Sequence, residues 1–249
     1  MDISEIHSGL LKILVALDDL CRKNSINYSL HAGTLIGAVR EHGFISWDDD
    51  ADIAMTRDEY EKLEKAISSE MDLYLRGKIK CQVCAKSIPN LWVDIFILDY
   101  ISEKKAGQKL KLGLLTVLDI MSRDKKSMML SKLDQYSLVK RLVYKVIYLL
   151  GKVFDIEKKQ NWYQEISQNR LLGNCQFQIR SNDRYSARNM ICPSVWMSKY
   201  ENVSFEGKTL MMTSYYDQLL TSVYGDYMKP VKEVGQSKTH DLVRENSVY

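Results

Sequence analysis

Apolar residues recur at helical spacing from the start of the chain. Ile3, Ile6, Leu10, Ile13, Leu14, Leu17 and Leu20 form one stripe, which predicts an amphipathic helix over residues 3–23. Asn24 and Ser25 stop it. Residues 26–30 are short and apolar enough for a strand. A short helix over residues 33–40 opens at Gly33-Thr34, and His42-Gly43 makes a turn. Alternation predicts a second strand over residues 51–55. Thr56, with Glu59 three residues on, reads as a capping box for a helix that buries Tyr60, Leu63 and Ile67. Two further strands fit residues 79–85 and 91–98, separated by a Pro89-Asn90 turn. The first hundred residues are thus expected to be mixed α/β with a compact sheet.

The middle of the chain has a different pattern. Residues 101–160 hold fourteen Lys/Arg against six Asp/Glu, a local net charge of about +8. Leu138, Leu142, Val143, Val146, Ile147 and Leu150 make an apolar stripe interleaved with Lys140, Arg141 and Lys145. Either a helical subdomain with a solvated basic face or a surface for anionic lipid or an anionic polymer fits this pattern. Residues 181–192 are polar and the stretch 196–227 is rich in aromatics. A helix is expected over residues 214–223, ended by Gly225, and the polar tail from Lys232 is expected to fray.

Composition narrows the class. The chain has 249 residues, 45% apolar and 27% charged, with a net charge of +3. That is a globular composition, with no charge excess that demands nucleic acid. Cys21, Cys81, Cys84, Cys175 and Cys192 make no even disulfide framework. Cys81 and Cys84 form a lone C-x-x-C on an alternating segment, which puts the sulfurs on opposite faces and reads as two ordinary thiols. No basic leader and no apolar run of membrane-spanning length is visible. The expectation is a cytoplasmic protein, soluble or attached to the inner membrane surface.

The chemistry concentrates in His31-Ala-Gly-Thr-Leu-Ile-Gly-Ala-Val-Arg-Glu-His-Gly-Phe-Ile-Ser-Trp-Asp-Asp-Asp-Ala-Asp. Asp48, Asp49, Asp50 and Asp52 are a costly cluster of like charge unless cations offset it. In a strand Asp50 and Asp52 share one face, suited to holding Mg2+ (or Mn2+), while Ala51 and Ile53 turn to the core. Asp94 is a second acid, set inside the apolar run Leu91–Leu98, where a charge is costly without a task. Metal-binding carboxylates with a third acid on another strand suit phosphoryl transfer. Gly33-Thr34 at a helix start would hold a phosphate, and Arg40 two turns on could reach the same anion.

These residues resemble the LicD family, whose signature runs Gly-Thr-Leu-Leu-Gly-Ala-x-Arg and then Gly-Phe-Ile-Pro-Trp-Asp-Asp-Asp-x-Asp. The likeness continues through Arg57-Asp58-Glu59-Tyr60, Val93-Asp94-Ile95-Phe96, Phe205-Glu206-Gly207, residues 220–230 and His240. Ser46 stands where the signature has Pro, and Met212-Thr213 where relatives often carry Pro. The fukutin-related proteins are similar at these motifs. The resemblance implies a nucleotidyltransferase-like fold: an α/β (α+β) mixed sheet flanked by helices. A catalytic core at 1–100, a basic helical segment at 101–190 and a completing segment at 191–249 are expected. It further implies transfer of phosphocholine or a similar phospho-substituent from a CDP-activated donor to a glycan or lipid-linked glycan. Asp50, Asp52 and Asp94 would be the catalytic acids, with Asp50 and Asp52 on the metal. Gly33, Thr34, Arg40, Asp48 and Trp47 would bind the donor.

Two other readings use the same residues. A true nucleotidyltransferase would release pyrophosphate rather than CMP, and a non-catalytic cation-binding scaffold would turn over neither. A choline head group would call for an aromatic cage, for which Trp47, Trp92, Tyr28 and Tyr215 are the candidates. His31 could face a ligand or simply pack.

Overall fold

The computed structural model describes residues 1–125, 137–168, 175–182 and 190–230. The tail from Lys232 and His240 lie outside these. The chain divides into two units. One combines Met1–Leu98 with the chain from Cys192 onward, and the other is Asp99–Ile191.

The first unit begins with α1 (Ile3–Lys23), whose N-terminus carries a complete Asp2/Glu5 capping box. Its predicted stripe is buried from Ile6 to Leu20. Next come β1 (Ser29–Leu30), α2 (Ala32–Arg40), β2 (Asp52–Thr56), α3 (Arg57–Ile67), β3 (Leu73–Arg76), β4 (Cys81–Ala85) and β5 (Ile88–Ile101). The strands lie in the order β1-β2-β5-β4-β3, with β2 and β5 parallel and the other neighbours antiparallel. This is a mixed sheet flanked by helices. β5 leads the chain into the second unit.

Several local expectations shift for identifiable reasons. The strand expected at residues 26–30 shrinks to Ser29–Leu30, because Ile26 N–H still bonds back to Cys21 of α1. Asn27 N–H is taken by the Glu59 carboxylate at 2.8 Å. Glu59 therefore does not complete a capping box, although Thr56 Oγ1 accepts its N–H. The β4–β5 turn is Lys86-Ser87, not Pro89-Asn90. Pro89 and Asn90 (φ +71°) instead belong to a bulge, where the register jumps from Cys84–Trp92 to Ala85–Ile88. Cys81 and Cys84 are buried thiols not joined in a disulfide, and burial pushes the Cys84 thiol up, as it pushes Cys21 up to about 12.

After Ile191 come β7 (Ile191–Pro193), a short 3-10 turn (Ser194–Met197), the hairpin β8–β9 (Tyr200–Phe205 and Lys208–Thr213) and the final helix (Tyr216–Tyr224). Side chains tie this hairpin to the N-terminal elements. Thr213 N–H donates to Ser29 Oγ at 2.9 Å and Met211 N–H to the Tyr28 hydroxyl at 3.3 Å. That hydroxyl donates in turn to Asp18 of α1 at 2.8 Å. Two ends of the chain nearly two hundred residues apart thus share one core.

α2 approaches the following loop almost backbone to backbone. A Cβ on Gly37 would collide with the Gly43 carbonyl and press on Ile45 N. Main chain cannot swing aside as a side chain can, so Gly37→Ala should destabilise by about 1–3 kcal/mol. A urea unfolding midpoint measures this loss directly.

The second unit is helical: α4 (Lys105–Ser122), α5 (Leu138–Gly151) and α6 (Ile156–Gln168), followed by β6 (Phe177–Arg180). Part of its basic excess is internal. Lys159 Nζ donates to the carbonyls of Met121 and Gly151, and Lys111 Nζ to those of Tyr100 and Ser167. Three of these carbonyls end helices, where unsatisfied C=O groups and the dipole favour a cation.

Candidate active site

The acids meet through strand register. Asp52 is the first residue of β2 and pairs with Asp94 of β5 in parallel register. Registered residues of neighbouring strands face the same way, so the two carboxylates stand on one face with their strands about 4.8 Å apart. The local folding that places them is main-chain. Asp52 N–H donates to Thr34 Oγ1 at 2.8 Å, its carbonyl accepts from His31 N–H at 2.9 Å, and Asp94 N–H donates to the Ala51 carbonyl at 2.9 Å. Ala51 and Ile53 are fully buried, as their alternation with Asp50 and Asp52 required. Asp50 precedes the strand and is half-buried.

Register carries the row of polar residues further. Asp94 pairs with Gln82 on β4, and Gln82 with Arg76 on β3. Gln82 Nε2 donates to Asp94 Oδ1 at 2.7 Å, and Arg76 Nε donates to Gln82 Oε1 at 2.9 Å. The guanidinium lies 4.6 Å above the Trp92 ring. The arginine fixes which way the amide points, and the amide fixes Asp94. Sequence reading missed Gln82 and Arg76; the one signal was a polar residue at each of two alternating strand positions. Gln82→Leu is expected to cut kcat about ten- to a hundredfold with little change in KM. Steady-state kinetics on a variant with wild-type circular dichroism would read this split.

Above the acids sits the start of α2. His31 is its N-cap, and Ala32 adopts φ +46°. A left-handed residue at a helix start turns successive N–H groups inward, into the kind of concavity that receives anions. Asp48 stands next to it: its Oδ2 lies within clashing distance of where a Gly33 Cβ would be. Burial, chiefly, raises the Asp48 carboxyl above its usual range; neighbouring Asp49 adds to this and a hydrogen bond with Asp50 opposes it. Asp48 follows a turn in which its N–H bonds to the Ile45 carbonyl at 2.9 Å. Ser46 is the second residue of that turn, so the missing Pro removes stiffness and no ligand.

The acidic loop is held from both sides. His7 of α1 stacks on Phe44 (4.4 Å between centroids), and its Nε2–H donates to the Asp48 carbonyl at 2.6 Å. Glu206, in the β8–β9 turn with φ +50°, accepts Phe44 N–H at 3.0 Å and returns its own N–H to His42 O at 2.8 Å. A Cβ on Gly43 would strike that carboxylate. Glu206-Gly207 thereby clamps the loop that carries the aspartates.

Other candidates are placed differently. Arg40 ends α2, roughly 10 Å along the axis from Gly33. It binds the Tyr227 carbonyl at 3.1 Å and Glu41 at 3.0 Å, so it anchors the C-terminal segment there. Tyr28 is fully buried in its hydrogen-bond network, out of reach of a head group. His31 is buried with its ring 5.1 Å from Phe96. Trp47 is 37% exposed beside the aspartates.

Among the described residues no three His, Cys, Asp or Glu side chains are gathered into a ready metal cage. The donor set here is all carboxylate oxygen, two acids side by side with a third nearby. That suits Mg2+, which binds through one or two carboxylates and completes its shell with water and substrate phosphate. The residues fit such an ion.

Residues 25–105 match the family model described as LicD/FKTN/FKRP, nucleotidyltransferase domain. The chain is 27% identical over 259 aligned residues to the lipopolysaccharide cholinephosphotransferase LicD of Haemophilus influenzae, covering 92% of each protein. It is also 30% identical over 91 residues to an uncharacterized protein of Rickettsia prowazekii, covering 36% of this chain and 33% of that one.

Proposed function

Because the chain belongs to the LicD family, we propose that it transfers phosphocholine from CDP-choline to a hydroxyl of a cell-surface glycan or its lipid-linked precursor, in the cytoplasm. The observation that carries this reading is the pairing of Asp52 with Asp94 on parallel strands beneath the N-terminus of α2. The relative along nearly the whole chain, a lipopolysaccharide cholinephosphotransferase by name, supports the transferred group and the kind of acceptor.

Asp50 and Asp52 would hold the divalent cation, which supplies charge neutralisation at the donor pyrophosphate. The first-turn N–H groups of α2 around Gly33 and Thr34 would hold the same anion once Asp48 gives way. Asp94, held by Gln82, receives the proton of the acceptor hydroxyl. That oxygen forms a bond to the phosphorus bearing choline. The bond from this phosphorus to the bridging oxygen breaks, and CMP leaves with the electron pair. Trp47, exposed beside the aspartates, offers an aromatic face to a quaternary ammonium.

The test is nucleotide release from CDP-choline, CDP-glycerol and CDP-ribitol in the presence of glycan acceptor, with Mg2+ and with EDTA. Metal-dependent CMP from CDP-choline is the expected result. CMP from another donor would keep the reaction and change the head group, whereas pyrophosphate from a nucleoside triphosphate would replace it with nucleotidyl transfer.

A further inference from the structure

Exposed large apolar residues among the described residues concentrate on α5, outside the acid site. Leu138, Val139, Leu142, Val146, Leu149 and Leu150 are all exposed, three of them by more than 60%. At 100° per residue they span a single arc of about 120°. The opposite side of the helix carries Tyr144, Ile147 and Gly151. Gly151 approaches α4 so closely that a Cβ would strike the Met121 backbone. The helix is therefore docked by one side, and its more apolar side faces outward. That inverts the usual arrangement of a helix in a soluble domain, whose apolar stripe faces the core.

Charge singles out the occupant. From Ser137 to Phe154 the chain has Lys140, Arg141, Lys145 and Lys152 and no acid. On the helix Arg141, Lys145 and Lys152 flank one edge of the apolar arc, whereas Lys140 lies on the side of Ile147 and Gly151. Tyr148, under Lys152 at 4.8 Å, stands at the same boundary. Two copies meeting through this face would bring like-charged rims together, which disfavours self-association. A bilayer with anionic headgroups matches both the apolar arc and the cationic rim. The helix has 14 residues and is about 21 Å long, short of the ~30 Å hydrocarbon core. None of the described helices is long and apolar enough to cross a membrane. Such a helix lies in the interface instead of spanning it.

We propose that α5 docks the protein peripherally on an anionic membrane surface, with the face of Leu142 and Val146 among the acyl chains and Arg141, Lys145 and Lys152 on lipid phosphates. This goes beyond the transfer reaction and does not depend on it. It would bring the enzyme to membrane-held acceptors.

Co-sedimentation of the full chain with vesicles tests it. One set is phosphatidylcholine alone and the other contains roughly a third phosphatidylglycerol. Binding to the anionic vesicles is expected to exceed binding to the neutral ones by about tenfold and to weaken with salt. The double variant Leu142→Ser, Val146→Ser should lose most of that binding, and Lys145→Glu, Lys152→Glu should lose its preference for anionic lipid. Because all four side chains are exposed or on the rim, circular dichroism and CMP release from CDP-choline with a soluble acceptor should stay at wild-type level. Equal binding by wild type and the serine variant, or none by either, would overturn the proposal. So would a dimer in sedimentation velocity that the serine variant dissolves.

Discussion

Asp52→Asn is expected to lower turnover by about a thousandfold or more and to leave the fold intact. Asparagine has the shape of aspartate and lacks its charge. The main-chain hydrogen bonds of Asp52, to Thr34 and His31, survive the change. Removing one of two like charges on neighbouring strands relieves repulsion, so thermal stability should hold or rise. Asp94→Asn should do the same, because an amide oxygen still accepts from Gln82. The double variant should be little worse than either single one, since groups that act as a unit do not lose activity additively. Near-normal turnover in both single variants would remove the acid pair from the mechanism.

Gly33→Ala is expected to reduce kcat/KM by about a hundredfold with little loss of stability. The added methyl collides with Asp48 Oδ2, the tip of a side chain that can rotate away. The fold therefore tolerates it, but the methyl takes up the concavity at the start of α2 and displaces the acidic loop. Gly37, one turn later, meets main chain instead. The two glycines of one short helix should then separate cleanly in experiment. Gly33→Ala should spare the urea midpoint and lose activity, and Gly37→Ala should lower the midpoint. A Gly33→Ala enzyme with wild-type kcat/KM would mean that no donor group approaches that backbone.

Much of this was legible in the sequence because the signals are local. The stripe from Ile6 to Leu20, the Thr56 cap and the buried face Tyr60, Leu63, Ile67 depend on neighbours a few residues away, and they appear as read. The alternation around Asp52 and Asp94 told which way each carboxylate points. That the two are adjacent came only from the parallel register of β2 and β5, a pairing across a helix and two strands. β3 escaped notice because its four residues bury only Leu73 fully. Pro89-Asn90 looked like a turn because its residue types favour one, yet the same backbone freedom serves a bulge beside the true turn. Glu206 bonds a residue 162 positions away; periodicity carries no trace of such a contact. Arg40 was expected at the donor from its spacing on α2; its bond to the Tyr227 carbonyl joins residues 187 positions apart, a contact that spacing does not reveal.

The arrangement also divides labour between charge and support. Asp52 and Asp94 stand in register on neighbouring strands. Thr34, Gln82 and Arg76 fix their backbone or carboxylate positions, and His7 and Glu206 hold the loop before them. Supporting groups drawn from α1, β3, β4 and the β8–β9 turn make the acid motif part of the whole first unit.

If Asp50 and Asp52 hold a divalent cation at the donor pyrophosphate, as proposed, a CDP-linked donor should bind only when that cation is present. Calorimetric titration of CDP-choline into the protein with Mn2+ tests it without needing the acceptor. Binding to wild type with Mn2+, abolished by EDTA and by Asp52→Asn, is the predicted result. Equal binding with EDTA, or undiminished binding by Asp52→Asn in Mn2+, would contradict it.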